Sequence, residues 1–329
     1  MEPKAILKYD EATKRTLERQ GYHFVGAHEH SAVKTCLWLW KSIRGEGNCY
    51  KGKFYGIRAH RCVQMTPSLF CNQQCAHCWR PLEAFNINTG AEGVVWDAPT
   101  EIVEGCIREQ KRLISGFKGS PKTKQDAFAE ANAPKHAAIS LIGEPTLYPY
   151  LKELIQEFHA HGMTTFVVTN GTNPAVLREI NPTQLYLSVN APNEAIYKEV
   201  SHADYWSRIN ESLDELSMKS GRTVIRITCI AGMNMVHPEG YAELLKRANP
   251  DFVEVKAYMH IGYSRKRLSR SAMPAHSQVR QFAGEIADRL AADYTMVDES
   301  ELSRVVLISN RSSGALEKDG GPLSSKDTD

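Results

Sequence analysis

The chain has 329 residues, 42% of them hydrophobic and 24% charged, a composition that excludes intrinsic disorder and supports a sizeable core. A formal net charge of +2 excludes a uniformly basic coat, so any contact with a polyanion must come from a local patch. The apolar runs are too short to cross a bilayer, and Met1-Glu2-Pro3-Lys4 lacks the apolar core of a signal peptide. A cytoplasmic protein with no membrane contact is therefore expected. In that reducing compartment, eight cysteines point to metal or catalysis before disulfides.

Residues 1–30 are polar, with one helix expected around Asp10–Gln20. Residues 31–62 carry Cys36, Cys49 and Cys62 in a segment without a clear period, and a strand is expected at about 58–66. After the next cysteines the pattern becomes regular. Ile102, Val103, Cys106, Ile107, Ile114 and Phe117 fall largely on one helical stripe. Ala137–Ile142 reads as a buried strand, and Leu151, Leu154, Ile155 and Phe158 as a helix closed by Gly162. Strands follow at Thr164–Thr169, Leu185–Val189, Thr223–Ile230 and Phe252–Lys256, with helices in 193–219, 237–248 and 275–292. Arg304–Ile308 is a candidate late strand, and the Ser-, Gly- and Asp-rich residues 311–329 are expected to be disordered.

This alternation argues for parallel strands with right-handed helical crossovers. Six units are two short of a closed eightfold barrel. The expected fold is α/β, a partial (β/α)6 barrel over residues 58–310, with residues 1–57 as an N-terminal extension.

Chemistry concentrates in Cys71-Asn72-Gln73-Gln74-Cys75-Ala76-His77-Cys78-Trp79. A loop of this size brings three soft sulfur ligands to one point, as zinc or an iron–sulfur cluster requires. Closed structural zinc wants a fourth ligand, and the nearest, His77, sits between two of the cysteines where its ring tends to point away. A cubane on three cysteines leaves one iron open. Cys36, Cys49 and Cys62 are separated by twelve residues in each gap. By themselves these read equally as a second metal site or as buried thiols. Cys106, on an apolar helix face, and Cys229, in a strand, read as core.

The three-cysteine loop followed by an aromatic resembles the radical S-adenosylmethionine superfamily. Gly143-Glu144 is similar to that superfamily's Gly-Gly-Glu element, with Ile142 in place of the first glycine. Cys36 through Cys78, Ser140 through Pro149, Leu187 through Pro192 and Lys256 through Arg265 together resemble the 4-demethylwyosine synthase family, over roughly residues 30–310. The resemblance implies two 4Fe–4S clusters, one on Cys71, Cys75 and Cys78 and an auxiliary one on Cys36, Cys49 and Cys62. It implies S-adenosylmethionine held by Gly143, Glu144, Thr169, Asn170, Ser188, Asn190 and the backbone of Ile230. The implied reaction converts 1-methylguanosine at position 37 of phenylalanine tRNA to a tricyclic base, with pyruvate as two-carbon donor. Pyruvate would be activated by the open auxiliary iron or by Lys51 as a Schiff base; Lys53 lies equally close in sequence. Eukaryotic members carry a flavodoxin-like domain that this chain has no room for. A monomer served by an external flavodoxin- or ferredoxin-type one-electron donor is therefore expected.

Two basic segments suit RNA phosphates. One carries Arg265, Lys266, Arg267 and Arg270 beside Tyr263, and the other ends in Lys122 and Lys124. Arg108–Arg112 reads instead as a solvated helix face. The alternatives are a radical activase of a glycyl-radical enzyme and a non-catalytic metal-stabilised RNA-binding module. The first has no use for a pyruvate lysine, and the second none for Gly143-Glu144.

Overall fold

The computed structural model describes residues 11–81 and 95–311. Of the tail expected to be disordered, residues 311–329, all but Arg311 lie outside them. The chain forms two compact units, Met1–Asn72 with Glu83–Val168 and Gln73–Leu82 with Thr169–Asp329. No helix of the described residues is long and apolar enough to cross a membrane.

The first unit is built on β3 (Cys62–Thr66), β4 (His136–Ile139) and β5 (Thr164–Thr169), all parallel, with Cys62 opposite His136 and Ile139 opposite Val167. A hairpin, β1 (His23–Val25) and β2 (Ser31–Val33), adds antiparallel to β3. The described residues of the expected N-terminal extension fall within this unit. Its helices are α1 (Glu11–Arg19), α2 (Leu37–Arg44), α3 (Tyr50–Tyr55), α4 (Pro99–Ile114), α5 (Gln125–Ala131) and α6 (Leu151–Ala160). Proline starts α4, where its missing N–H costs nothing, and Ile102, Val103, Cys106 and Ile114 turn inward. Cys106 is thus the core residue expected. Strand β4 is buried along its whole length, as a short apolar parallel strand should be, but it ends at Ile139. The amides of Ser140 and Leu141 both turn to the Met65 carbonyl, which takes them out of the ladder.

Asp97 clasps the hairpin. Its carboxylate is inaccessible and accepts from Ala27 N–H at 3.0 Å, from His28 N–H and from His28 Nδ1 at 2.6 Å. Its own N–H donates to His30 Nε2 at 2.8 Å, so the His30 proton sits on Nδ1 and donates to the Pro67 carbonyl. Burial pushes the His30 pKa down, in keeping with a neutral ring. Gly26, at φ +81°, is required here because a Cβ would lie 2.1 Å from Asp97 Oδ2. Asp97→Asn keeps the volume but loses the charge and one face of acceptors. It should cost about 3 kcal/mol; an unchanged denaturant midpoint would refute this.

The second unit repeats the parallel theme in β6 (Gln184–Ser188), β7 (Arg222–Cys229) and β8 (Phe252–Ala257), with Ser188 opposite Arg226 and Arg226 opposite Glu254. The late strand exists as β10 (Val305–Asn310), antiparallel to β8, and β9 (Tyr294–Ser300) pairs outside it. The helices are α7 (Pro174–Glu179), α8 (Glu194–Ser201), α9 (Trp206–Ser217), α10 (Pro238–Ala248) and α11 (His276–Asp288). One face of β7 and β8, with Ile225, Ile227, Cys229, Val253 and Val255, is fully buried. The other is polar. There Arg226 donates through Nε and Nη2 to the inaccessible Glu254 at 2.9 and 2.7 Å, over the Tyr186 ring.

Candidate active site

In the first unit, Cys36 is the N-cap of α2, Cys49 the N-cap of α3, and Cys62 opens β3. The three thiols and the Lys51 ammonium are near enough to perturb one another. Burial pushes the Cys62 thiol up to about 12, the Cys36 and Cys49 sulfurs push the same way, and Lys51 opposes them. Burial also raises Cys36, while the Leu39 amide and Lys51 pull it back. Such thiols ionise when a metal takes the proton's place. Lys51 is half-buried, with Nζ 5.7 Å from the centroid of buried Phe166 on β5. Lys53 is exposed. Two residues along α3, about 200° around its axis, therefore separate the two lysines that lie equally close in sequence.

The three segments that carry these cysteines meet at one node. Ser42 Oγ on α2 donates to Asn48 Oδ1 beside Cys49, and lies 2.8 Å from His60 Nδ1, two residues before Cys62. His60 Nε2 is 2.6 Å from Glu130 on α5. No motif announced this node; a serine, an asparagine and a histidine scattered over nineteen positions carry no periodic signal.

Beyond β4 the chain turns at Gly143, φ +73°, where a Cβ would stand 2.2 Å from the Ser68 carbonyl and 2.6 Å from that of Phe70. The next amide, Glu144 N–H, donates to Phe70 O at 2.7 Å, one residue before Cys71. Glu144 is buried, and its Oε1 accepts from the Thr146 amide and hydroxyl at 3.1 and 2.7 Å. The carboxylate is thereby held rigid beside the start of the cysteine loop.

In the second unit the loop is tied to α8. Gln74 and Ala76 N–H donate to the Ser201 and Val200 carbonyls, and Gln73 donates to Tyr197. The Cys75 thiol donates to Gln73 Oε1 at 3.1 Å. His77 is pushed down to about 4 by burial and by Arg267, so its ring is neutral. Arg267, expected on RNA, has its guanidinium on the carbonyls of Ala76, Cys78 and Arg80 instead. A charge run cannot distinguish such a capping arginine from its solvated neighbours. Arg265, Lys266 and Arg270 are exposed, as are Lys122 and Lys124 in the first unit. Arg267→Gln should lower the iron bound per chain more than it lowers tRNA affinity; the reverse order would restore Arg267 to the RNA surface.

The polar strand ends of the second unit are locally braced. Thr169 Oγ1 accepts from Gly171 N–H, and Asn170 Oδ1 from the Thr172 amide and hydroxyl. Asn190 Oδ1 accepts from Thr228 N–H at 2.8 Å, which leaves its NH2 as the end that can donate to a ligand, and Ser188 is half-buried at the end of β6. Ile230 is buried. Its N–H goes to Asn234 Oδ1 and its carbonyl closes the turn on Met233 and Asn234, so the expected adenine-pairing backbone has no amide to give. Asn234, inaccessible and missed in the sequence, also donates to the Asn190 and Thr228 carbonyls.

Among the described residues no three His, Cys, Asp or Glu side chains converge on a single-ion site. A cubane asks for a wider set, because each cysteine binds a different iron. The Cys36 and Cys62 thiols, raised by burial and each in the field of the Cys49 sulfur and of Lys51, are soft donors of the kind a cubane takes.

A family model described as the radical SAM superfamily matches residues 65–245, and one described as wyosine base formation matches residues 247–310. This is a radical S-adenosylmethionine enzyme, and the α/β partial (β/α)6 barrel expected for it holds. The tRNA 4-demethylwyosine synthase of Pyrococcus horikoshii is 49% identical over 300 residues, 88% of this chain and 86% of that one. The enzyme of Methanocaldococcus jannaschii is 43% identical over 303 residues, 90% of this chain and 95% of that one. A solved structure of TYW1 with a lysine-pyruvate adduct bound has a TM-score of 0.82 at 40% identity, covering 92% of this chain and 96% of that one. The chain belongs to the S-adenosyl-L-methionine-dependent tRNA 4-demethylwyosine synthase family. The non-catalytic module is thereby set aside.

Proposed function

We propose that the enzyme converts 1-methylguanosine at position 37 of phenylalanine tRNA to 4-demethylwyosine, taking two carbons from pyruvate in the cytoplasm. The observation that carries this reading is the Lys51 amine, turned toward Phe166 and electrostatically coupled to Cys36 and Cys62. It accords with the lysine-pyruvate adduct of the TYW1 structure. Cys71, Cys75 and Cys78 would hold one 4Fe–4S cluster, and Cys36, Cys49 and Cys62 a second. When bound, the first supplies the electron that cleaves S-adenosylmethionine to methionine and a 5′-deoxyadenosyl radical.

The chain's own residues then position and protect. The Glu144 carboxylate takes a hydrogen bond from the methionyl ammonium, while Ser188 and the Asn190 amide serve the ribose. The Lys51 amine condenses with the keto carbon of pyruvate, forming a C=N bond and releasing water. Its place near an aromatic ring and thiols limits competing hydrolysis. Arg265, Lys266, Arg270, Lys122 and Lys124 would hold tRNA phosphates, and base 37 must leave its stack to react. Electrons come from a flavodoxin- or ferredoxin-type protein, and the enzyme works as a monomer.

The test is mass spectrometry of tRNA after anaerobic incubation with S-adenosylmethionine and pyruvate labelled at its second and third carbons. A tricyclic nucleoside carrying both labels is expected. Recovery of 1-methylguanosine alone, with S-adenosylmethionine consumed, would reject the substrate assignment.

A further inference from the structure

Helix α2 carries two large apolar side chains on its outer face. Leu37, Trp40, Lys41 and Arg44 recur at i, i+3, i+4 and i+7, the spacing of a single helix face. Leu37 is 60% and Trp40 42% exposed, while Leu39, Ser42 and Ile43 do the packing. The Trp40 ring is held in place, since its Nε1 donates to Thr35 Oγ1 at 3.0 Å. Cations continue the face. The Lys41 ammonium lies 5.3 Å from the Trp38 ring centroid, and the Arg44 guanidinium 5.3 Å from that of Phe117. The Lys124 stem lies against Gly45, where a Cβ would be 3.1 Å from its Cε. Lys118, Lys122 and Lys124 are exposed in a stretch, residues 115–124, that contains no acid. Glu46 is the one acid in residues 34–53, against five cations.

We infer that this face binds the single-stranded anticodon loop of the substrate, with a splayed base stacked on Trp40 and Leu37 and phosphates running along Lys41, Arg44 and Lys124. The inference rests on the tRNA reading above and adds a surface to it. A fixed aromatic ring beside a line of cations is how sequence-tolerant single-strand sites are built. An acidic electron-donor protein would also favour the cations. The apolar part, however, is two side chains wide, enough for a base and small beside the roughly 800 Å² per partner of a protein interface. The face also starts where the chemistry starts, because Cys36 is the N-cap of the same helix. A strand crossing α2 toward its N-terminus arrives at the Cys36–Lys51 cluster.

The test uses anaerobic, cluster-loaded enzyme and a fluorescent anticodon stem-loop bearing 1-methylguanosine at position 37, with affinity read by anisotropy between about 50 and 200 mM salt. Trp40→Ala should weaken binding about tenfold, the scale of one lost base stack, and Trp40→Phe should restore most of it. Lys41→Gln should lower the slope of log affinity against log salt by about 0.7, one released counterion on a single strand. Lys152→Gln, an exposed cation on α6, should change neither. Wild-type affinity and slope in both α2 variants would overturn the inference. So would normal RNA binding with slowed reduction by a flavodoxin-type donor, which would give the face to the redox partner. If the parent enzyme does not bind the stem-loop, the tRNA reading fails first and this inference with it.

Discussion

Lys51→Ala is expected to lower 4-demethylwyosine formation by about a thousandfold or more, the scale lost when a covalent nucleophile is removed. S-adenosylmethionine cleavage should continue, uncoupled from product, because Lys51 acts on the Cys36 and Cys62 thiols and the radical would start from the Cys71, Cys75 and Cys78 cluster. Lys51→Arg discriminates between two roles for the cation. Arginine keeps the charge that draws the Cys36 and Cys62 thiols down but stays protonated and cannot condense with a ketone. It should fail as completely as alanine. Borohydride added to the parent enzyme with pyruvate should trap a reduced adduct on a peptide containing Lys51, and on none containing only Lys53, which is exposed. Substantial product from Lys51→Arg would show that the side chain acts as a charge, and pyruvate activation would then fall to a metal.

The second large effect separates the two cysteine sets. The parent enzyme should carry about eight irons per chain after anaerobic reconstitution, and Cys36→Ala and Cys71→Ala about four each. Their activities should differ in kind. Cys71→Ala should cleave no S-adenosylmethionine. Cys36→Ala should cleave it without building the tricyclic base, since pyruvate would lose its surroundings while the radical source remained. Iron near four in the parent, or full product formation by Cys36→Ala, would refute a second cluster.

How far the sequence disclosed this molecule depends on where each residue's partners lie. The parallel strands were legible because buried strands leave uninterrupted apolar text; Thr164–Thr169 falls where it was placed and Phe252–Ala257 runs one residue longer. Strand β4 was overextended because nothing in Ser140-Leu141-Ile142 reveals that two amides turn to Met65. Helix α2 hid behind its own composition: with Leu37 and Trp40 outside, apolar periodicity no longer reports burial. Strand β9 hid for a related reason, as its apolar Met296 and Val297 are exposed and its half-buried Asp298-Glu299 end is acidic and reads as loop. In the site, cysteines and the Gly143-Glu144 turn announce themselves by type and spacing. Asn234 and the Ser42–Asn48–His60 node act through backbone or through single long-range contacts, which no local pattern encodes.

The crowding at Gly143 bears on how such turns should be sought in other genomes. Its neighbour Ile142 is 7% exposed and packs with Leu17, Tyr22, Ala32, Leu69, Phe70 and Leu141, an oily niche that welcomes a branched side chain. Only the second position of the Gly-Gly-Glu pattern is barred to a methyl group by backbone oxygens. A search profile that demands both glycines would pass over chains like this one. A profile strict at the second and permissive toward aliphatics at the first should recover them, and its yield can be checked against an intact three-cysteine loop upstream.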